Sequence, residues 1–330
     1  MLANIQVLRA FAALAVVAYH TNYRLPGLLH TDFLGVATFF VISGFIMSYI
    51  RETAGVFLIR RIIRIVPLYW LGTCLYAGMV VLIYTRIGKA TDNTVTLSTF
   101  LQDLFFIPRF DGSDVLIYPV LGVGWTLNLE MYFYTLFAAM LFIDRQRAPI
   151  LVGFALLTFW IVAKVFTLSP LVAFLAHDYV VYFVFGIAVF YLWRSIPKNA
   201  TIGGSFLVGG FCLLVHFAIS SGELSAKLAP PMIVLGALIL EGAGYPMKFR
   251  APLLIGSASY ALYLFHPFVI GLARATLAPD SSAAVVTMIC TACLLLAILI
   301  HKLVEIPTLS TLRELTSAMM ARSVAQSTPQ

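Results

Sequence analysis

The first apolar segment of the chain, Ile5–Thr21 (IQVLRAFAALAVVAYHT), carries Arg9 and His20. Their spacing makes about three helical turns, so both side chains fall on one face, roughly 16 Å apart along the axis. An Arg near the centre of a membrane helix costs ~2.5–3.5 kcal/mol, and such groups usually face protein or a wet cavity. Arg9 would otherwise snorkel to the interface, and His20 would be an interfacial residue beside Tyr19 and Tyr23. The shared face favours a site, with His20 as the natural general base near neutral pH.

Four further stretches carry polar groups with chemical potential. Arg60, Arg61 and Arg64 lie in RRIIR, with Arg60 and Arg64 one helical turn apart. Clustered guanidiniums suit bidentate phosphate binding, although loop arginines also arise from membrane topology or contact anionic lipid. Glu130 lies in GVGWTLNLEMYFY, near the middle of an apolar run, and its expected partners are Arg9 or His20. Trp125, Asn128 and Tyr134 would supply donors around the same cavity, or simply pack. In FFVISGF, Ser43-Gly44 suits close helix approach; Ser43 as a nucleophile fails, because Ile42 and Phe45 break a Gly-x-Ser-x-Gly pattern. In SYALYLFHPF, Ser259 and Tyr263 share a face and His266 extends it, forming a second polar wall. His30, His177, His216 and His301 show no comparable pattern, and no metal spacing is evident.

The elements that must position these residues are membrane helices. Of the 330 residues, 61% are hydrophobic and 11% charged, with a mean hydropathy of +0.98. A soluble domain carries about 25% charged residues. The net charge of +7 comes from membrane-flanking loops, so no nucleic-acid partner is expected. Cys74, Cys212, Cys290 and Cys293 all sit in apolar runs, so no disulfide framework is expected, and Cys290 and Cys293, three apart on one helix, read as core packing rather than half of a metal site. The N-terminus lacks a basic n-region and an A-x-A-like cleavage site, so the first segment reads as a retained helix.

Apolar runs at 4–22, 33–50, 66–85, 122–143, 149–168, 178–194, 202–220, 229–244, 253–273 and 283–304 predict ten spanning helices, an all-α polytopic protein around a central cavity. The eighth is the weakest, since Pro230-Pro231 opens it. With the N-terminus inside, the inner segments hold Arg51, Arg60, Arg61, Arg64, Arg145, Arg147, Arg194, Lys198, Lys248, Arg250, Lys302, Arg313 and Arg322. The outer segments hold only Arg24, Arg86, Lys89, Arg109, Lys164, Lys227 and Arg274. This asymmetry predicts N-in and C-in. Residues 51–65 read as an inner connection leading into Pro67. Residues 86–121 read as a long outer loop with an interfacial helix at Leu97–Ile107. The predicted division is a membrane domain at 1–307 and a polar cytoplasmic tail at 308–330, which is expected to fray.

Together, in this order, the five stretches resemble the acyltransferase-3 family of membrane O-acyltransferases, particularly short bacterial members that decorate exopolysaccharide. Arg9 and His20 resemble the family's R-x10-H motif, and FFVISGF its second-helix signature. Arg60, Arg61 and Arg64 resemble its basic coenzyme-A motif. WTLNLEMYFY is similar to its Trp–Ser–Leu–Glu box, with Thr126 where Ser is common, and SYALYLFHP to its late-helix motif. The resemblance covers about residues 4–305. It implies transfer of an acyl group, usually acetyl, from acyl-CoA as donor substrate to a sugar hydroxyl, with no bound cofactor. It further implies that Arg60, Arg61 and Arg64 hold coenzyme phosphates, that Arg9 guides the donor, and that Glu130 orients His20 or balances Arg9. The implied partners are membrane lipid and a saccharide or lipid-linked oligosaccharide acceptor, in a bacterial inner membrane. The rival readings are a transporter or flippase for a lipid-linked glycan and a subunit of a polysaccharide export complex. The paired halves common in transporters are not evident.

Overall fold

The computed structural model describes residues 2–21, 32–50, 52–87, 95–111, 115–166, 169–276 and 283–327. Tyr23, Arg24, His30, Arg51 and Lys89 lie outside these. The chain is all-α apart from a two-residue antiparallel pairing of β1 (Arg109–Phe110) with β2 (Leu116–Ile117). The helices in chain order are α1 (Ala3–His20), α2 (Asp32–Tyr49), α3 (Ala54–Ile87), α4 (Leu97–Leu104), α5 (Trp125–Ile143), α6 (Ala148–Val165) and α7 (Pro170–Leu175). They continue as α8 (Val180–Ser195), α9 (Ala200–Ser220), α10 (Glu223–Gly242), α11 (Arg250–Ser257), α12 (Ser259–Thr276), α13 (Ala283–Ile300) and α14 (Ile306–Ser327).

Among the described residues, 8 spans are long and apolar enough to cross a membrane, and 9 if the bent pair α11–α12 is one crossing. The apolar part of α2, Leu34–Tyr49, is shorter. Nine of the ten apolar runs coincide with one helix each, and the run at 253–273 with the bent pair α11–α12. Large apolar side chains such as Phe142, Phe154, Phe211 and Ile219 point outward. Such a surface is costly in water and suits contact with lipid tails.

Three helices differ from the sequence prediction. The arginine segment 51–65 is no connection: α3 begins at Ala54 and runs through Pro67 without interruption. Beside that proline, Tyr260 of α12 donates its hydroxyl to Ile65 O at 2.8 Å. Likewise Pro230-Pro231 lie inside α10, which starts at Glu223. Pro230 removes the donor for Ala226 O, and the Tyr182 hydroxyl takes its place at 3.4 Å. Such re-satisfaction is what makes proline tolerable in membrane helices. The ninth segment is broken, with α11 and α12 meeting at 73°.

Two close approaches set the architecture. At the crossing of α2 and α8, a Cβ on Gly44 would lie 2.2 Å from Phe183 O, and one on Gly186 2.2 Å from Val41 O. Only glycine lets the two backbones touch, as the Ser43-Gly44 step predicts. At α11, a Cβ on Gly256 would lie 1.9 Å from Gln6 O, and Gln6 Nε2 donates to Ser257 Oγ at 2.7 Å. Helix α1 is thus held at its start by the kink of α11. Its first turn is also capped in trans, since Ala3 N and Asn4 N donate to the two carboxylate oxygens of Glu241 at 2.7 and 2.8 Å. A carboxylate at a helix N-terminus satisfies otherwise orphaned N–H groups and opposes the helix dipole. At the other end, Arg274 of α12 donates to His20 O at 2.8 Å.

The helix expected at Leu97–Ile107 is α4, which ends at Leu104 and is opened by a capping box between Thr96 and Thr99. Trp70 Nε1 of α3 donates to Leu104 O at 2.8 Å. Asp103 is buried, pairs with Arg109 at 3.0 Å and accepts Val120 N at 2.7 Å. Burial pushes its carboxyl above the usual range, while the Val120 and Arg109 contacts oppose the shift. The segment expected to fray is helical to Ser327, as α14.

Candidate active site

A cavity of about 770 Å³ is enclosed by α1, α2, α3, α5, α12 and α14. It lies within the range of small-molecule sites. Arg9, Arg60, Arg61, Arg64, Glu130, Tyr134, Ser259 and Tyr263 all line it. The structure therefore brings together eight of the twelve residues singled out in the sequence. Trp125, Asn128, His20 and His266 lie outside its lining. Trp125 instead packs against His177 and Tyr179, with ring centroids 5.6 Å away in each case.

The middle of the cavity is built on Glu130. Its Oε1 accepts from Ser43 Oγ of α2 at 3.1 Å and from the Tyr134 hydroxyl one turn along α5. Among the described residues its direct partners are thus hydroxyls, and no carboxylate lies within ion-pair distance of Arg9. The Arg9 guanidinium donates to Gln6 Oε1 at 3.5 Å. Ser259 lies at 0% exposure and its hydroxyl has no hydrogen-bond partner. An unsatisfied hydroxyl on a cavity wall is a donor held ready for a bound group. Tyr263 is fixed by Thr126 Oγ1 at 2.6 Å and Val123 O at 3.1 Å.

The arginine end is anchored by two carboxylates. Arg60 pairs with Glu52, and Arg64 pairs with Glu305 at 3.4 Å. Glu305 closes a single π-helical turn, His301–Glu305, that joins α13 to α14. Its other oxygen accepts from His301 Nδ1 at 2.8 Å. Such π turns recur at functional sites. Spacing alone could have flagged His301 and Glu305 as an i, i+4 pair, but nothing local ties them to Arg64. Ser43 was recognised as a packing position, and its bond to Glu130 spans two helices.

His20 sits beyond Tyr263, at the opposite end of α1 from Gln6. Its ring centroid lies 4.9 Å from that of His266, and His266 lies 6.1 Å from Tyr263. His20 Nδ1 is 2.9 Å from Val16 O. A carbonyl can only accept, so Nδ1 carries the hydrogen and Nε2 of the neutral ring keeps its lone pair. His266 repeats the arrangement, with Nδ1 3.2 Å from Leu262 O and Nε2 buried without a partner. Such a ring, oriented by one nitrogen and open at the other, can take up a proton.

The residues expected to do chemistry thus gather at a cationic internal cavity and at an oriented histidine pair beyond its wall. The family model for the acyltransferase domain matches residues 2–302, and the chain belongs to this acyltransferase-3 family. It is an acyltransferase. The chain is 37% identical to the exopolysaccharide production protein ExoZ of Rhizobium meliloti strain 1021, over 74% of this chain and 78% of that protein. It is 26% identical to nodulation protein 10 of Rhizobium leguminosarum bv. viciae, covering 81% and 82% of the two chains. It is 24% identical to the peptidoglycan O-acetyltransferase OatA of Listeria monocytogenes, covering 80% of this chain and 48% of that one. No solved structure matches it significantly.

Proposed function

We propose that the chain is a membrane O-acetyltransferase that moves acetyl from acetyl-CoA to a hydroxyl of an exopolysaccharide or lipid-linked saccharide. The observation that carries this reading is the placement of one helix, α1, between two chemistries. Arg9 lines the arginine cavity, and His20, further along, turns Nδ1 to Val16 O and has no hydrogen-bond partner for Nε2 among the described residues. The reading includes ten crossings with both termini on the cytoplasmic side of a bacterial inner membrane. The cationic end then faces the cytoplasmic pool of acyl-CoA.

In this mechanism the coenzyme phosphates rest at the arginine end and the pantetheine arm runs past Arg9 toward His20. The acceptor oxygen attacks the thioester carbonyl while His20 Nε2 takes its proton. The tetrahedral oxyanion needs preorganised donors, and the unpartnered Ser259 hydroxyl is a cavity group of that type. Collapse breaks the C–S bond, and the thiolate leaves and recovers the proton from His20. With a free-thiol pKa of ~8.5, the leaving group needs little acid assistance. Glu130 holds Ser43 and Tyr134 and offsets the charge of the cavity.

The test is transfer of labelled acetyl from acetyl-CoA to a saccharide acceptor by the purified chain in detergent. Label on the sugar with the unsubstituted chain, and none with His20→Ala at equal membrane abundance, is the expected result. Full activity of His20→Ala removes the base assignment, and label that never reaches a sugar removes the acceptor class.

A further inference from the structure

The arginines at the wide end of the cavity are not equivalent. Five arginines (Arg9, Arg60, Arg61, Arg64, Arg313) line it against two glutamates (Glu52, Glu130). Arg60 is paired with Glu52 and Arg64 with Glu305. Neither Arg61 nor Arg313 lies within ion-pair distance of a carboxylate among the described residues. The guanidinium of Arg61 sits 5.7 Å over the ring of Phe57, and its Nε is buried without a hydrogen-bond partner. A buried guanidinium N–H left unsatisfied is costly, so this group is built to meet an acceptor that the chain does not supply.

Arg313 comes from α14, the helix that follows the π turn. That turn fixes α14 to α3 through Glu305 and Arg64. Thr316 and Ser317, within about one helical turn of Arg313, line the same cavity. The segment that reads in the sequence as a polar tail is therefore one wall of the cavity. It adds a cation without a carboxylate partner among the described residues, and two hydroxyls, to the cavity that Arg61 lines. Guanidiniums without internal carboxylates, flanked by hydroxyls, are the chemistry that recognises phosphate oxygens.

We propose that Arg313, together with Arg61, contacts the phosphate groups of the acyl donor, and that Arg60 and Arg64 chiefly hold α3 and α14 in place. This rests on acetyl-CoA being the donor. The test is calorimetric titration of the purified full-length chain, in neutral detergent without added lipid, with acetyl-CoA and with S-acetylpantetheine, which lacks the phosphates. Arg313→Gln and Arg61→Gln should each weaken acetyl-CoA binding about tenfold or more, as expected for loss of a charged hydrogen bond. Neither should change the affinity for S-acetylpantetheine, and Arg313→Lys should keep most of the acetyl-CoA affinity. An unchanged thermal midpoint for Arg313→Gln shows that the fold is intact. Unchanged acetyl-CoA binding by Arg313→Gln, with loss in Arg61→Gln, overturns the role of α14 and leaves the donor reading standing. An equal loss with S-acetylpantetheine also overturns the proposal, since no phosphate is then involved. Failure of the unsubstituted chain to bind acetyl-CoA overturns the donor reading as well.

Discussion

His20 of α1 and His266 of α12 face each other with ring centroids 4.9 Å apart. Each directs Nδ1 at the carbonyl four residues earlier in its own helix. The two Nε2 atoms are therefore the proton-accepting ends of the pair, and that of His266 has no other partner. When His20 takes a proton from the acceptor, its Nε2–H gains a neighbouring ring able to accept. We expect His20→Ala to remove ~10²–10⁴-fold of the rate, the usual worth of a general base. His266→Phe should lower kcat while leaving the KM for acetyl-CoA unchanged, because His266 lies outside the donor cavity. Steady-state kinetics with varied donor decide this: a raised donor KM with normal kcat would place His266 on the binding path instead.

Much of the site is legible in the sequence because charge inside an apolar run is costly and rarely accidental. Arg9, Glu130 and the Ser259/Tyr263 face announce themselves in this way, and the structure places them on one cavity. Glu305 and Arg313 do not, because they lie where polarity looks like the end of the membrane domain. Helix α3 is hidden for a related reason. Arginines followed by Pro67 look like a connection, and nothing in the local sequence shows that the helix runs on through the proline. The 73° bend between α11 and α12 falls just after Gly256-Ser257, and what the sequence does not show is that Gly256 there meets the backbone of Gln6, a relationship between opposite ends of the chain.

The Arg64–Glu305 pair should behave as a structural tie rather than a simple ligand contact. Glu305 is 1% exposed in its side chain. Removing Arg64 leaves that carboxylate buried with His301 as its remaining partner. Breaking a buried pair typically costs ~3–5 kcal/mol. Arg64→Gln should therefore lower the thermal midpoint strongly, and Arg64→Gln combined with Glu305→Gln should recover much of the loss. A double-mutant cycle on thermal unfolding measures the coupling. Strict additivity of the two substitutions would mean that the pair does not tie α14 to α3.

Gly256 supplies a test of how α1 is positioned. An added methyl would meet Gln6 O at 1.9 Å, and that oxygen belongs to backbone already held by Glu241 and Asn4 contacts nearby. The helices must separate, at a cost of ~1–3 kcal/mol for overpacking. Gly256→Ala is expected to lower both the thermal midpoint and kcat. Gly78→Ala is the control, since nothing lies within 4 Å of a Cβ there. Equal behaviour of the two variants would show that the α1–α11 contact is not a constraint.

Asp144 gives a pH dependence of defined sign. It is half-buried and sits in the turn that opens α6, where its Oδ1 accepts from Gln146 N at 2.8 Å and Arg147 N at 3.0 Å. These backbone bonds, that from Arg147 first, hold its carboxyl below the usual carboxylate range. The folded state thus binds this proton less tightly than the unfolded state. The contribution is fully present above the unfolded pKa of ~3.9 and is lost as the pH falls through the lower folded value. Asp144→Ala should accordingly reduce the thermal midpoint by a fixed amount at pH 6–8, in detergent. That difference should shrink once the pH falls below about 4. Comparison with the unsubstituted chain across the series isolates Asp144 from the other carboxylates, including Asp103, whose raised carboxyl acts with the opposite sign. A difference that stays constant down to pH 3 would mean that the charge of Asp144 does not support the turn.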